Sequence, residues 1–110
     1  MKNYGIILAS GSGNRCGSDI PKQFLKFAGK TIFEHTIEKF ENAKEIDEIV
    51  VVIIPGYKYF AEEIIKKNSY KKITKVLEGG ATRKESSYIG INSISDEEAN
   101  VLIQIGRAHV

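Results

Sequence analysis

A loop of small residues that ends in an arginine follows a short apolar stretch near the start of the chain. Gly5-Ile6-Ile7-Leu8 leads into Ala9-Ser10-Gly11-Ser12-Gly13-Asn14-Arg15, and Pro21-Lys22-Gln23-Phe24 comes shortly after. Small residues let backbone N–H groups approach phosphate oxygens closely, and successive N–H groups form an anion-binding concavity. Arg15 and Lys22 add two positive charges there. The pattern predicts a nucleoside triphosphate site suited to phosphoryl chemistry.

Two common phosphate-binding motifs are absent from this loop. The P-loop pattern G-x-x-x-x-G-K-[ST] does not occur, and Cys16 replaces the third glycine of the dinucleotide pattern G-x-G-x-x-G. A G-x-G loop after a strand is also common as a plain tight turn. Arg15 could instead form a loop salt bridge, and Lys22 could be an exposed loop lysine. The two charges together favour the phosphate site.

The rest of the chain alternates predicted strands and helices. We predict strands at 4–8, 48–54, 73–77 and 100–103, and helices that begin after Thr31, at 57 and after Thr82. The β-branched run of the second strand is typical of a parallel strand that is covered on both faces. Thr31 and Thr82 are each followed three residues later by a glutamate, which is the capping-box spacing. The order predicts an α/β fold, three-layer αβα, with a mostly parallel sheet.

Apolar spacing predicts which helix faces are buried and where the site lies. Phe33, Ile37 and Phe40 recur at helical spacing, and in the next helix Phe60, Ile64 and Ile65 are predicted to face inward. Ligands of parallel sheets lie beyond the carboxyl ends of the strands. Segments 9–22 and 79–86 both follow such ends, so we expect them to converge on one site.

These segments resemble a known enzyme family. The patterns A-x-G-x-G-x-R, P-K-Q-F-L, G-K-T-I-F-E-H-T and E-G-G-A-T-R-K-E-S occur within residues 4 to about 103. They are similar to nucleotidyltransferases that make CDP-alcohols from CTP, in the branch with 2-C-methyl-D-erythritol 4-phosphate cytidylyltransferase and ribitol-5-phosphate cytidylyltransferase. The resemblance implies a Rossmann-like nucleotidyltransferase fold that is truncated here to its N-terminal part.

The resemblance also implies a mechanism and a set of site residues. In this family a phosphate oxygen of an alcohol phosphate attacks the α-phosphorus of CTP, and pyrophosphate leaves. Arg15 and Lys22 match the catalytic residues that bind the triphosphate and stabilise the transition state. The implied nucleotide-binding residues are Leu8, Ala9, Ser10, Gly11, Gly13, Gly80, Ala81, Thr82, Arg83 and Ser86. Mg²⁺ is the expected cofactor, CTP is the substrate, and no metal ligand is assigned; Asp19 is read as a turn residue.

The acceptor and the activity itself stay open at this point. Either 2-C-methyl-D-erythritol 4-phosphate or ribitol 5-phosphate fits the resemblance, and the sequence of the first loop somewhat favours ribitol 5-phosphate. The alternative to an enzyme is a non-catalytic nucleotide-binding remnant of the same fold. The presence of both Arg15 and Lys22 argues against that alternative.

Composition indicates one soluble globular unit. The 110 residues are 42% hydrophobic and 27% charged, and their net charge of +2 is too small to indicate nucleic acid or a membrane as partner. A single cysteine excludes an internal disulfide framework. The longest apolar run, 49–54, is too short to span a bilayer. We expect a cytoplasmic protein and, from the resemblance, a homodimer when full length.

The last seven residues depart from the resemblance. Relatives carry H-D-A-x-R-P after the strand that corresponds to 101–103, whereas this chain reads Gln104-Ile105-Gly106-Arg107-Ala108-His109-Val110. The peptide from Ile105 onwards matches the in-frame translation of a common sequencing adapter. We therefore expect 1–103 to be native domain and 104–110 to be a non-native tail without function. A genuine divergent terminus is the alternative.

Overall fold

Parallel strands that alternate with helices make up the computed structural model, which describes residues 2–9, 22–94 and 100–105. In chain order the elements are β1 (Asn3–Ala9), a 3-10 turn (Lys22–Phe24), β2 (Lys26–Phe27), β3 (Lys30–Thr31), α1 (Ile32–Glu41), β4 (Glu48–Ile53), α2 (Lys58–Asn68), β5 (Ile73–Glu78), α3 (Arg83–Asn92) and β6 (Asn100–Ile105). The sheet order is β5-β4-β1-β6, and each neighbouring pair is parallel. The predicted α/β fold is confirmed.

Helices cover both faces of the sheet. Ile7, Val51 and other residues of one face pack against α1 and α2, whereas Ile6 and Val52 of the other face lie under α3. The residue of α3 nearest that second face is Gly90, where a Cβ atom would lie 2.8 Å from Ile6 Cγ2. The missing side chain lets the helix approach the sheet closely. The predicted three-layer arrangement is therefore confirmed.

The predicted core face of α1 is confirmed, whereas that of α2 needs a correction. Phe33 and Ile37 are fully buried and Phe40 nearly so. In α2 the buried residue is Ala61, while Phe60 is 49% exposed. The inward placement of Phe60 was wrong because residue 61 occupies the helix position that faces the sheet. Ile64 is half-buried against the core, as expected.

The two predicted helix caps differ in detail. At α1 the box is reciprocal, because Thr31 Oγ1 accepts from the Glu34 N–H and Glu34 Oε1 accepts from the Thr31 N–H. At α3, Thr82 Oγ1 accepts from the Glu85 N–H at 3.1 Å, but Glu85 Oε2 accepts from the Ala81 N–H. The capping box of α3 is thus only half-formed, because the Glu85 side chain accepts from the N–H of Ala81 and not from that of Thr82.

Strand β6 is two residues longer than predicted. Gln104 pairs with Ile7 and Ile105 with Leu8, so the strand continues past residue 103. The reason is that β1 itself runs on to Ala9 and still offers backbone partners at this point. Residues 106–110 lie outside the described residues, and the origin of 104–110 stays a prediction.

No helix within the described ranges is long and apolar enough to cross a membrane.

Candidate functional site

The carboxyl ends of β1, β4 and β5 lie side by side at one edge of the sheet. The Ile54 N–H donates to the Ala9 carbonyl at 3.3 Å, and the Gly79 N–H donates to the Ile53 carbonyl at 2.7 Å. These bonds tie the end of each strand to the segment that follows its neighbour. Both predicted site segments therefore begin at the same edge. Most of the first one, residues 10–21, lies outside the described part of the chain.

The loop after β5 is held to the first turns of α3 by side chains of that helix. The Gly80 N–H donates to Ser86 Oγ at 3.1 Å, and the Ala81 N–H donates to Glu85 Oε2 at 3.1 Å. Ser86 is fully buried beneath the loop. Its hydroxyl supports the loop backbone, and its predicted contact with a nucleotide stays a prediction. The loop conformation is set by α3.

Three neighbouring residues of this loop are exposed at the site edge. Ala81, Thr82 and Arg83 all lie at the surface. The side chain of Arg83 forms no hydrogen bond or ion pair with another described residue. It stands at the N-terminus of α3, where unpaired backbone N–H groups favour an anion. The loop and helix end thus offer polar groups and the Arg83 guanidinium to a ligand.

A steric constraint explains why the loop needs glycine at position 80. A Cβ atom on Gly80 would lie 2.6 Å from Glu85 Cβ and 2.5 Å from Glu85 Oε2. The Cβ atom of Glu85 cannot move away without moving α3 itself. Any side chain at position 80 would push the loop away from the helix.

Lys22 is placed by the two residues that follow it. It begins the 3-10 turn, and Gln23 and Phe24 of that turn are buried at 5% and 6% exposure. The Phe24 ring contacts Phe33 at 5.7 Å between centroids and Phe60 at 4.7 Å. The backbone of Lys22 is therefore anchored next to the core.

The remaining predicted residues of the first segment divide into two groups. Leu8 and Ala9 belong to β1 and are only 3% and 1% exposed, so their side chains belong to the core. The others, Ser10, Gly11, Gly13 and Arg15, lie outside the described residues. Their roles stay predictions.

A hairpin that sequence reasoning missed connects the Lys22 turn to α1. Ala28 and Gly29 form its turn, with φ values of 53° and 84°. Two successive positive φ values are the signature of a type I′ turn, for which Gly29 was the available sequence signal. His35 Nε2 bonds to the Phe27 carbonyl at 2.6 Å, and Lys30 pairs with Glu38 of α1. The hairpin is thus fixed to α1.

Carboxylates of α1 hold this helix to its neighbours. A hydrogen bond from Lys30, and a second from the Tyr70 hydroxyl at 2.7 Å, hold the pKa of Glu38 below its usual value. Burial, and then the bond to Glu38, raises the pKa of Tyr70. Burial opposes ionisation of Glu34, but hydrogen bonds from Thr31 and from Asn68 Nδ2 outweigh it and lower the pKa of Glu34. These groups stabilise the scaffold.

Potential metal ligands do not cluster among the described residues. Across 2–9, 22–94 and 100–105 there is no group of three or more histidine, cysteine or acidic side chains that could hold a metal ion. The carboxylates near the site edge already accept backbone bonds: Glu78 from the Gly56 N–H and Glu85 from the Ala81 N–H. Asp19 lies outside the described residues.

Solved structures of nucleotidyltransferases share this parallel sheet with helices on both faces. The crystal structure of 4-diphosphocytidyl-2C-methyl-D-erythritol synthase from Anaerococcus prevotii DSM 20548 matches 96% of this chain with a TM-score of 0.76 and 29% identity. A structure of inositol-1-phosphate CTP transferase from T. maritima, at 21% identity, shares the fold with a TM-score of 0.73.

The chain belongs to the 2-C-methyl-D-erythritol 4-phosphate cytidylyltransferase (IspD) family, whose model matches residues 4–109. It is 42% identical over 104 residues to the bifunctional ribulose 5-phosphate reductase/CDP-ribitol pyrophosphorylase Bcs1 of Haemophilus influenzae. It is 41% identical over 106 residues to 2-C-methyl-D-erythritol 4-phosphate cytidylyltransferase of Clostridium novyi (strain NT).

The chain spans less than half of these relatives. It matches 22% of the Haemophilus protein, 46% of the Clostridium protein and 43% of the Anaerococcus chain, while those matches cover 94%, 96% and 96% of the chain itself.

Proposed function

We propose that the full-length protein is a CTP-dependent cytidylyltransferase. It transfers the cytidylyl group of CTP to the phosphate of a small sugar alcohol and releases pyrophosphate. The observation that carries this proposal is the start of both motif segments at one carboxyl edge of the sheet, in a chain of this family. That placement brings two segments that are far apart in sequence to the edge of the sheet where ligands of such folds bind.

The proposed chemistry is an in-line displacement without a covalent intermediate. A phosphate oxygen of the acceptor forms a bond to the α-phosphorus of CTP, and the bond from that phosphorus to the bridging oxygen of pyrophosphate breaks. The protein contributes position and charge stabilisation rather than a nucleophile. Lys22 and Arg15 neutralise the charge that develops on the phosphate oxygens. The backbone N–H groups of the small-residue loop bind the same phosphate oxygens.

The loop after β5 is the proposed reader of the cytosine and ribose. The N–H groups of Gly80 and Ala81 already donate to Ser86 and Glu85, so recognition by this loop falls to carbonyl oxygens and to Arg83. Carbonyl acceptors suit the N4 amino group of cytosine, which is a donor. A loop held this firmly also limits the size of the base that fits.

Two acceptors remain in the proposal. The identity to the Haemophilus CDP-ribitol pyrophosphorylase and to the Clostridium methylerythritol phosphate enzyme is nearly equal, at 42% and 41%. We therefore propose ribitol 5-phosphate or 2-C-methyl-D-erythritol 4-phosphate as acceptor. Mg²⁺ as the ion that accompanies CTP, a homodimeric assembly and a cytoplasmic location complete the proposal, without nucleic acid or a membrane as partner.

The test is CTP-dependent release of pyrophosphate by the full-length protein with each acceptor in turn. Lys22→Ala and Arg15→Ala should each lower the rate by about 10²–10³, the usual loss for one charge-stabilising donor. Lys26→Ala removes an exposed lysine of β2 and serves as the matched control, with the rate unchanged. If the wild-type protein binds CTP but releases no pyrophosphate with either acceptor, the non-catalytic remnant is favoured instead.

A further inference from the structure

One stretch of chain, residues 54–60, contacts a described residue on each side of the segment 10–21. On the upstream side, the Ile54 N–H donates to the Ala9 carbonyl at 3.3 Å. On the downstream side, the rings of Tyr57 and Phe60 contact the ring of Phe24. The connection between β4 and α2, with the first turn of α2, therefore contacts described residues that flank the segment with the predicted triphosphate-binding residues.

The aromatic contact has a defined geometry. The Phe24 ring lies 5.5 Å from Tyr57 in a stacked arrangement at 27°, and 4.7 Å from Phe60 in an edge arrangement at 66°. Both distances fall in the range in which aromatic pairs attract beyond simple burial. We call Phe24, Tyr57 and Phe60 the aromatic clamp.

Exposure separates Phe60 from the core residues. Phe24 is 6% exposed, whereas Phe60 is 49% exposed. The helix position of α2 that faces the sheet is held by Ala61, which is fully buried. Phe60 is therefore placed beside the core, over Phe24.

The clamp is close to Lys22 along the chain. Lys22 and Phe24 are the first and last residues of one 3-10 turn. Such a turn rises about 2 Å per residue, so Lys22 and Phe24 are only about 4 Å apart along its axis, and a shift of Phe24 would also move the backbone of Lys22. A displacement of about 1 Å at a group that positions the reaction can cost about 10²-fold in rate.

We propose that Tyr57 and Phe60 are positioning residues that act on Lys22 through Phe24. This inference rests on the proposed function, because it assigns Lys22 to the triphosphate. The clamp sets where the Lys22 turn lies relative to the end of β1.

The chain offers a matched pair of variants for the test. Phe60→Ala removes the ring over Phe24, and Tyr59→Ala removes the preceding ring of α2, which is 75% exposed and has no ring contact within the described residues. In the full-length protein, Phe60→Ala should lower kcat/KM at least tenfold, roughly within the range for a misplaced group, and weaken CTP binding. Tyr59→Ala should leave kcat/KM and CTP binding unchanged. Phe60→Tyr keeps the ring and should retain the wild-type values of both.

A double-mutant cycle with Lys22→Ala separates positioning from stability. If Phe60 acts through Lys22, adding Phe60→Ala to Lys22→Ala should lower kcat/KM by less than about twofold, because the coupled residue is already gone. The change in melting temperature caused by Phe60→Ala should be the same in both backgrounds. Equal fold losses of kcat/KM in both backgrounds, or equal effects of Phe60→Ala and Tyr59→Ala, would overturn the inference.

The same cycle distinguishes this inference from the proposed function. A protein that binds CTP but releases no pyrophosphate contradicts the proposed function alone, and the cycle is then read from the CTP dissociation constant. A loss of CTP affinity that depends on Lys22 supports the clamp even then. A wild-type protein that binds no CTP would overturn both.

Discussion

At the scale of single residues, Ser86 shows how a polar side chain can serve a site from below. Serine is usually exposed, yet Ser86 is fully buried, and its hydroxyl accepts the Gly80 N–H at 3.1 Å. A buried hydroxyl that bonds to a loop backbone fixes the loop at low entropic cost. The motif E-G-G-A-T-R-K-E-S singled out this serine as a contact to nucleotide, and the structure adds a supporting role.

Replacing Ser86 with alanine should therefore destabilise the protein. Ser86→Ala leaves the half-buried Gly80 N–H without its acceptor, which should cost about 1 kcal/mol, the low end for an unsatisfied donor. Ser87→Ala, at the half-buried next position, should change the free energy of unfolding by less than about 0.5 kcal/mol. Urea denaturation of the full-length protein measures both. Equal effects of the two variants would show that the Gly80 bond contributes little.

At the scale of elements, the hairpin turn at Ala28-Gly29 has an alanine at a position where the backbone conformation disfavours a Cβ atom. Ala28 adopts a φ of 53°, in the left-handed region where a Cβ atom is unfavourable and where asparagine or glycine is preferred. We expect Ala28→Asn to raise the free energy of unfolding by about 0.5–1 kcal/mol. Gly29→Ala should lower it by about 1 kcal/mol, because its φ is 84° although nothing lies within 4 Å. Thermal unfolding of both variants tests the turn type, and opposite signs are the required result.

The packing of α3 on the sheet depends on Gly90. Glycine inside a helix ordinarily costs about 1 kcal/mol relative to alanine, so Gly90→Ala would stabilise an exposed position. Here a Cβ atom would lie 2.8 Å from Ile6 Cγ2 and 3.2 Å from Val52 Cγ2. We expect Gly90→Ala to destabilise the protein by about 1–3 kcal/mol through overpacking. Asn92→Ala, at an exposed position of the same helix, is the control and should be neutral. A stabilising Gly90→Ala would mean that α3 can move off the sheet.

Elements with clear periodicity or caps could be predicted from the sequence, and short or context-dependent ones could not. The apolar run of β4 and the Thr31 cap of α1 carry local signals that the structure confirms. The hairpin of β2 and β3 escaped prediction because two-residue strands show no alternation. The placement of Phe60 escaped it because neighbouring residues at 60 and 61 both fit an apolar helix face.

At the scale of the whole molecule, three carboxylates link stability to pH. Hydrogen bonds from Lys30 and Tyr70 lower the pKa of Glu38, and a bond from Lys2 lowers the pKa of Glu48. The pKa of Glu34 is lowered by hydrogen bonds that outweigh its burial. A depressed pKa in the folded state means that the unfolded chain binds protons first as the pH falls. Stability is therefore full above the ordinary glutamate pKa of about 4.3 and is lost as pH falls through the lower folded values.

This linkage predicts a lower urea midpoint at pH 4 than at pH 7. Glu34→Gln should shrink the difference between the two midpoints, because one of the linked carboxylates is gone. Glu63→Gln, at an exposed position of α2, should leave the difference as it is in the wild type. A midpoint independent of pH over this range, or one that rises on acidification, would contradict the assignment.

The location of the site could be predicted at this scale, whereas its contacts could not. Parallel topology alone places the exits of β1 and β5 at one edge, which the structure confirms. The support of the loop by Ser86 and the contact of Phe60 with Phe24 depend on how α3 and α2 pack, and no local pattern encodes that. The charged residue Arg15 lies outside the described residues, so its role rests on the motif.

The most direct test of the central claim is to follow the phosphorus resonances of CTP in a reaction with the full-length protein. With ribitol 5-phosphate or 2-C-methyl-D-erythritol 4-phosphate present, we expect new diphosphate signals of a CDP-alcohol and an equal amount of pyrophosphate. The product should form with only one of the two acceptors at a substantial rate. CTP that stays intact with both acceptors, or that is cleaved at the same rate without any acceptor, would contradict a cytidylyltransferase.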